Sequence, residues 1–518
     1  MADSTLQVSP RLGFGAAALV VALIGAALLA VCSRAQLGSG LGAGDWAAVR
    51  FTVWQAFLSS VISVVLAVPV ARALARRRFV GRSALITLLG APFILPVIVA
   101  VLGLITVFGR AGWLNQALDL VGLPTVSIYG LHGVLLAHVF FNLPLATRLL
   151  LQGWKGIPAE RFRLAAQLRL TPWAFFRTVE WPLLKQVLPG VAALIFVICL
   201  TSFAVALTLG GGPRATTVEL AIYEAFRLDF DLARAAMLSL VQLVVAGGAA
   251  VVALWIIPQI SIGGGMDRPV QRWDARGAVP RVLDMMAIGA AAAFLILPLS
   301  AVVLRGLGGL ARLPGSIWLA VGNSILVAVI SVLLLCLLAL PMAGWIASRR
   351  AGSVEAVGLL GLAASPLMIG TGWFVLINPV MNPADLALPV TALVNALMAL
   401  PFALRIMVPR LRDTVQDFGR LAQTLGMRGW PLWRLVIVPR MRAQLGFAMG
   451  LTAALSAGDL GVIALFADQD RVTLPLQMYR LMGAYRMDAA AGAALLLLAL
   501  SLGLFWLCDK GGRWHADP

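Results

Sequence analysis

A polar segment that occurs twice, 257 positions apart, constrains this 518-residue chain more than any other feature. LAAQLRLTPWAFFRTVEWP occupies Leu164–Pro182, and LAQTLGMRGWPLWRLVIVP occupies Leu421–Pro439. Each is a basic interlude that follows an apolar stretch. The register extends beyond the segments, because Pro144 and Arg148 match Pro401 and Arg405, and Asp231 matches Asp488. A chain built this way folds as two equivalent halves. A polar loop at the same place in each half suggests two docking sites for one kind of partner.

The surroundings of these loops set the fold class. Hydrophobic residues make up 61% of the chain and charged residues 12%, with a mean hydropathy of +0.95. That composition is that of an all-α, polytopic membrane protein. Apolar runs of about 20 residues, the length that crosses a bilayer, fall at 12–32, 51–74, 84–108, 130–150, 190–209 and 235–257, and again at 285–304, 316–347, 356–377, 388–407, 446–466 and 489–507. The first run is longer than a secretory h-region and is kept as a span. LAVC at Leu29–Cys32 resembles a lipoprotein cleavage site only faintly, Val31 being too bulky before the cysteine.

Twelve spans with a cytosolic N-terminus place 1–11, 72–82, 148–185, 258–284, 349–355, 405–442 and 509–518 in the cytosol. These segments hold 29 of the 40 Lys and Arg but 11 of the 22 acidic residues, so the whole net charge of +18 lies on one face. This is the positive-inside distribution. It assigns the basic charge to topology and anionic lipid rather than to nucleic acid.

Six spans per half return the chain to the same side, so the repeats are parallel. Residues 1–260 form the first repeat with its loop at 153–188, 261–282 a cytosolic linker rich in Gly and Pro, and 283–518 the second repeat with its loop at 408–445. Trp46, Trp113, Trp154, Trp181, Trp255 and Trp506 lie near span ends and read as interfacial anchors. Pro96 with Pro366 and Pro144 with Pro401 pair between the halves, as kinks around a shared pathway would.

Catalytic chemistry is missing from the loops. No GxxxxGK[ST] is present, and GGGPRATT at Gly210–Thr217 lacks the lysine and reads as a turn. Three His and four scattered Cys assemble neither a triad nor a metal set, so no enzyme, metal or bound cofactor is expected. The loops instead carry short amphipathic helices: Phe162, Leu164, Leu168, Phe175 and Phe176 in the first, and Phe418, Leu421, Leu425 and Trp430 in the second. Such helices suit a lipid surface or a protein socket, and their recurrence favours the socket.

The same loops resemble the cytosolic motif of ABC importer permeases, which reads EAA, three residues, Gly, nine residues, Ile, one residue, Leu-Pro. Ala165, Val179 and Pro182 match its second alanine, isoleucine and proline, and Ala422, Gly426, Val436 and Pro439 do so in the second half. Arg163 and Arg420 stand where the motif has glutamate. Arg169 replaces the motif glycine, where a left-handed turn costs about 1–2 kcal/mol; this puts the local loop shape in question. Longer segments, among them LPVIVAVLGLITVFGRAGWL (95–114), YGLHGVLLAHVFFNLPLATRLLLQ (129–152), LGGGPRATTVELAIYEAF (209–226), NALMALPFALR (395–405), DFGRLAQTLGMRGW (417–430) and SAGDLGVIALF (456–466), resemble the fused thiamine importer permeases of Gram-negative bacteria.

That resemblance, which runs from about residue 46 to 507, implies a type I ABC importer permease fold in the inner membrane with both termini cytosolic. It implies two copies of an ATPase, carrying ATP and Mg, on the cytosolic loops. A periplasmic thiamine-binding protein would deliver thiamine or its phosphate esters to the outer face. Residues 161–176 and 418–433 would be the coupling helices, with Phe162, Leu164, Ala165, Arg169, Phe175, Val179, Pro182, Leu421, Ala422, Gly426, Trp430, Val436 and Pro439 at the docking loops. Truncating Phe162 and Phe175 is expected to uncouple ATP hydrolysis from uptake.

Polar residues within spans are the candidate pathway. His138 and Asn395 hold matching positions, six residues before the paired prolines, and Ser202, Ser456 and Asp459 follow in the fifth and eleventh spans. An intramembrane carboxylate is costly; Asp459 either attracts a cation or caps backbone amides. His138 either joins two helices or meets a ligand. Fused permeases for ferric iron, polyamine permeases, and a secondary transporter with two parallel six-helix halves are the competing readings. The last predicts a coupling carboxylate network that Asp459 alone does not supply.

Overall fold

The computed structural model describes residues 10–513 apart from 36–39, 213–214, 257–273, 275–276, most of 350–363, 428 and 469. The linker placed at 261–282 lies outside the described residues apart from Asp274 and the stretch from Gly277 onward.

Every regular element among the described residues is helical. The first half contains α1 (Pro10–Arg34), α2 (Ala43–Arg76), α3 (Arg82–Leu88), α4 (Val97–Phe108), α5 (Trp113–Leu120), α6 (Leu131–Lys155), α7 (Ala159–Gln167), α8 (Pro172–Phe175), α9 (Trp181–Leu200), α10 (Ala204–Leu209), α11 (Val218–Arg227) and α12 (Leu232–Ile256). The second contains α13 (Ala278–Gly309), α14 (Ile317–Arg349), α15 (Pro366–Ile377), α16 (Ala387–Thr424), α17 (Trp430–Leu432), α18 (Val438–Ala457), α19 (Gly461–Phe466), α20 (Leu474–Gly483) and α21 (Met487–Arg513). Among the described residues, 11 helical stretches are long and apolar enough to cross a membrane, with Pro366–Ile377 as a shorter apolar helix. A backbone in lipid must satisfy its own hydrogen bonds, which is why these apolar runs fold as helices. On α14, for example, Leu319, Leu326, Leu333 and Leu337 stay exposed along one face, as lipid contact allows.

Four expected spans are built differently from single long helices. The run at 84–108 breaks into α3, a 3-10 turn at Ala91–Phe93 and α4. Pro92 and Pro96 interrupt the backbone ladder there. The run at 356–377 is described as a helix from Pro366 onward, with Ser365 capping it by accepting from the Met368 amide. The fifth and eleventh spans each break near their far ends, between α9 and α10 and between α18 and α19.

The two halves repeat one plan. In the first, α2 packs on α6 and α9; in the second, α14 packs on α16 and α18. Pro69 in α2 and Pro341 in α14 are equivalent kinks. Thr52 on α2 accepts the Val218 amide at 2.8 Å, and Ser324 on α14 accepts the Leu474 amide at 2.8 Å. Each thereby ties down the first turn of an outer helix, α11 or α20, one of whose amides has no helical partner.

The halves also exchange their first helices. α1 packs on α14 and α15 as well as on its own half's α12, whereas α13 packs on α4 and α2 as well as on its own half's α21. Ala17, Val20, Ile24 and Ala27 are buried in one cluster with Leu335, Met368 and Leu397 of the second half, and Ala291 and Leu295 in another with Val64, Leu104 and Phe140 of the first. The seats are glycines. A Cβ on Gly372 would lie 2.3 Å from the Ala27 carbonyl oxygen, and one on Gly103 would lie 2.5 Å from that of Pro298. Small residues permit this backbone approach, on which helix packing in lipid depends.

Candidate functional site

Each repeated polar segment folds as a hairpin. In the first, α7 ends at Gln167, the Leu170 amide returns to the Ala165 carbonyl at 3.1 Å, and Arg169 takes a φ of +47°. In the second, the Met427 amide returns to Ala422 at 2.9 Å, and Gly426 takes a φ of +66°. The turn shape therefore survives the replacement of glycine by Arg169, which settles the question raised by the motif. Arg169→Gly is accordingly expected to raise stability by about 1 kcal/mol and Gly426→Arg to lower it by a similar amount. The thermal unfolding midpoint of the detergent-purified protein checks both.

The hairpins continue into matched π-helical turns, Phe176–Glu180 and Trp433–Ile437, and then into α9 and α18. Leu164, Leu168 and Trp173 are 56%, 62% and 70% exposed, and their counterparts Leu421, Leu425 and Trp430 are 56%, 62% and 73% exposed. Both hairpins thus present the same apolar triad. Arg169, Pro182 and Gly426 are also exposed, and Val179, Val436 and Pro439 half-buried. Phe162, Ala165, Phe175 and Ala422 are buried instead. The Phe162 and Phe175 rings sit 5.3 Å apart inside the hairpin. They hold the loop's shape rather than face outward, because an amphipathic pattern identifies the apolar face without saying what covers it.

The hairpins differ in how they are tethered. Gly156 and Pro158 separate α6 from α7, since proline disfavours helix in the residue before it. The second hairpin instead continues unbroken from α16, a 38-residue helix. Glu180, fully buried, accepts from Arg72 Nε at 2.7 Å and from Trp154 Nε1 at 3.1 Å. Trp154 is therefore a buried donor rather than an interfacial anchor, whereas Trp46, Trp255 and Trp506 are exposed. Arg72 also lies over the Phe176 ring. In the second half Ile437 takes the place of Glu180, and Arg440 stacks on Phe418 at 3.6 Å.

A cavity of about 410 Å³ lies between the halves. Pro96 and Pro366, at the starts of α4 and α15, line it together with the breaks at Thr201–Phe203 and Gly458–Leu460. Four interrupted helices converge there, the arrangement by which membrane proteins expose backbone only to an interior space. His138, Ser202, Asn395 and Asp459 all line this cavity. Ser202 and Asp459 hold equivalent positions, as do His138 and Asn395. Ser456 stands behind the wall: it is 2.6 Å from Ser331 Oγ and accepts from Asn395 Nδ2 at 3.1 Å. Asp459 Oδ1 accepts the Gly461 amide at 3.1 Å, so the carboxylate does cap α19.

Several participants escape a sequence reading. Ser59 meets His138 Nδ1 at 3.0 Å, and Asn142 donates to Cys199 Sγ at 3.2 Å. Ser59 and Ser331 are equivalent but lie 272 positions apart rather than 257. A second offset, applied to small polar residues within apolar runs, finds them.

On the face remote from the hairpins, an aromatic cluster and an arginine join the halves, with one ring contact inside the first half and one across the boundary. Phe203 packs on Tyr223 at 5.3 Å, and Phe226 meets Phe374 at 4.5 Å. Arg227 donates to the Ala467 carbonyl at 2.9 Å.

Known proteins are similar to this chain over nearly its whole length. A thiamine transport system permease protein ThiP from Salmonella typhimurium is 42% identical over 527 residues, covering 97% of each chain. The chain belongs to the thiamine transport system permease family. Within that family, the ThiP protein of Escherichia coli is 42% identical over 520 residues, covering 96% of each chain. That of Brucella abortus is 38% identical over 525 residues, covering 97% of this chain and 95% of its own. A molybdenum transport system permease protein ModB from Azotobacter vinelandii is 32% identical over 182 residues, 35% of this chain and 80% of its own. No family model matches the chain. Like the thiamine permeases, this is a polytopic all-α membrane protein and a transport subunit.

Proposed function

We propose that this chain is the membrane-spanning permease of an ATP-driven thiamine importer in the bacterial inner membrane, with both termini cytosolic. Two copies of an ATPase, carrying ATP and Mg, dock on the hairpins at 161–176 and 418–433. A periplasmic binding protein delivers thiamine to the opposite face. The observation that carries this reading is the pair of equally exposed apolar triads, one per hairpin, on a chain of the thiamine permease family. Identical surfaces on both halves suit two copies of one partner.

The geometry supplies a transmission. α18 runs without a break from the second hairpin's π-turn to Ala457, two residues before Asp459. Its 20 residues span about 30 Å. α9 runs likewise from the first hairpin to Leu200, beside Ser202. Closing the ATPases moves the hairpins, and each hairpin moves one wall of the cavity as a rigid rod. The aromatic bridge on the far face must part for outward opening, in an alternating-access cycle of packed bundles.

Labelled uptake tests the reading in cells that lack their own thiamine importer, supplied with this chain, its ATPase and its binding protein. Thiamine uptake that disappears with a hydrolysis-dead ATPase is the expected result. ATP-dependent uptake of ferric iron or a polyamine in its place overturns the substrate. Uptake indifferent to the ATPase overturns the class.

A further inference from the structure

Two buried polar atoms at the cavity have no hydrogen-bond partner: Asp459 Oδ2 and His138 Nε2. The opposite atom of each group is engaged, Asp459 Oδ1 by the Gly461 amide and His138 Nδ1 by Ser59. The Asn395 side chain also lies close to the Asp459 carboxylate. His138 is 4% exposed. Buried polar atoms left without partners are uncommon and call for a reason. They belong to residues from different halves that line one cavity.

The rest of the wall narrows the ligand's chemistry. Among the described residues, neither Lys nor Arg lines the cavity, so an oxyanion finds no positive charge there. Phe141, Phe203 and Phe402 contribute aromatic side chains, which suit a flat cation. The volume, about 410 Å³, is that of a small-molecule site.

We infer that the permease carries a ligand site of its own, in which Asp459 receives the charge of a flat organic cation and His138 Nε2 hydrogen-bonds a polar group of the same molecule. Ser331, Ser456 and Asn395 are positioning residues behind Asp459, and Ser59 is the positioning residue behind His138. The inference rests on the importer reading and deepens it: the permease selects what it conducts, in addition to any selection by the binding protein.

The test uses the permease–ATPase complex in nanodiscs without the binding protein, titrated with thiamine by calorimetry. Saturable binding is expected, and molybdate should not compete. Asp459→Asn should weaken binding by about thirtyfold or more, and His138→Leu should weaken it less. Thermal unfolding midpoints verify that each variant folds. Asp459→Ser, which installs the residue found at the equivalent position of the other half, serves if the asparagine variant does not fold. Unchanged thiamine affinity in the Asp459 variant, or competition by molybdate, overturns the inference. A wild-type complex that binds no thiamine, yet imports it when the binding protein is added, overturns the inference and leaves the importer reading standing. Loss of wild-type uptake in the complete system overturns the importer reading itself.

Discussion

Replacing Trp173 and Trp430 together by alanine is expected to reduce ATP-driven uptake to background while the protein still inserts and folds. Both indoles are about three-quarters open to solvent and sit at equivalent places on the hairpins. Truncation there removes little internal packing. Exposed tryptophans of this kind dominate protein–protein binding, where a single one is worth about 2 kcal/mol or more. The two sites lie in different hairpins, so their losses add. Together they amount to about 4 kcal/mol, roughly a thousandfold in affinity for the ATPase dimer. Copurification of the ATPase with tagged permease, followed by uptake, measures the effect. Retention of the ATPase by the double variant would remove the hairpin tips from the interface. Truncating the buried Phe162 or Phe175 should instead disorder the first hairpin, and it cannot test contact with a partner.

The second large effect concerns the first hairpin's tether. Glu180→Ile should destabilise the protein by about 3–5 kcal/mol, because Arg72 and the Trp154 indole lose their buried partner. Removing both charges with Arg72→Leu and Glu180→Ile should recover most of that loss, since an apolar pair of similar volume often replaces a buried ion pair without cost. The second half already carries isoleucine at the equivalent position, Ile437. Thermal unfolding of the single and double variants decides the matter. Equal destabilisation by both would show that packing, rather than the unpaired Arg72 charge, sets the cost.

The halves and their hairpins were legible because one offset aligns prolines, arginines and the polar segment. The cavity residues were legible because His138, Ser202, Asn395 and Asp459 interrupt apolar runs, where a polar group needs a reason to be. Contacts between distant segments were not legible. Glu180 meets Arg72 across 108 positions and His138 meets Ser59 across 79, and no local pattern encodes either pairing. The breaks within the third, fifth and eleventh spans were hidden because hydropathy does not distinguish a helix from two half-helices joined inside protein. Trp154 was misjudged for a related reason: its place near a span end said interface, whereas its partner Glu180 lay in another element.

The exchanged first helices have a consequence for how the protein is made. α13 emerges from the ribosome after its seat on α4 has been built. α1 emerges first, and Gly372, the seat for Ala27, lies 345 positions later in the chain. At about 5–20 residues per second, that delay is roughly 20–70 seconds. Until then α1 has only α12 of its own half and, later, α14 to pack on, and its almost wholly apolar sequence between Arg11 and Arg34 lets it wait in lipid. Two halves that look alike when finished are therefore assembled by different routes.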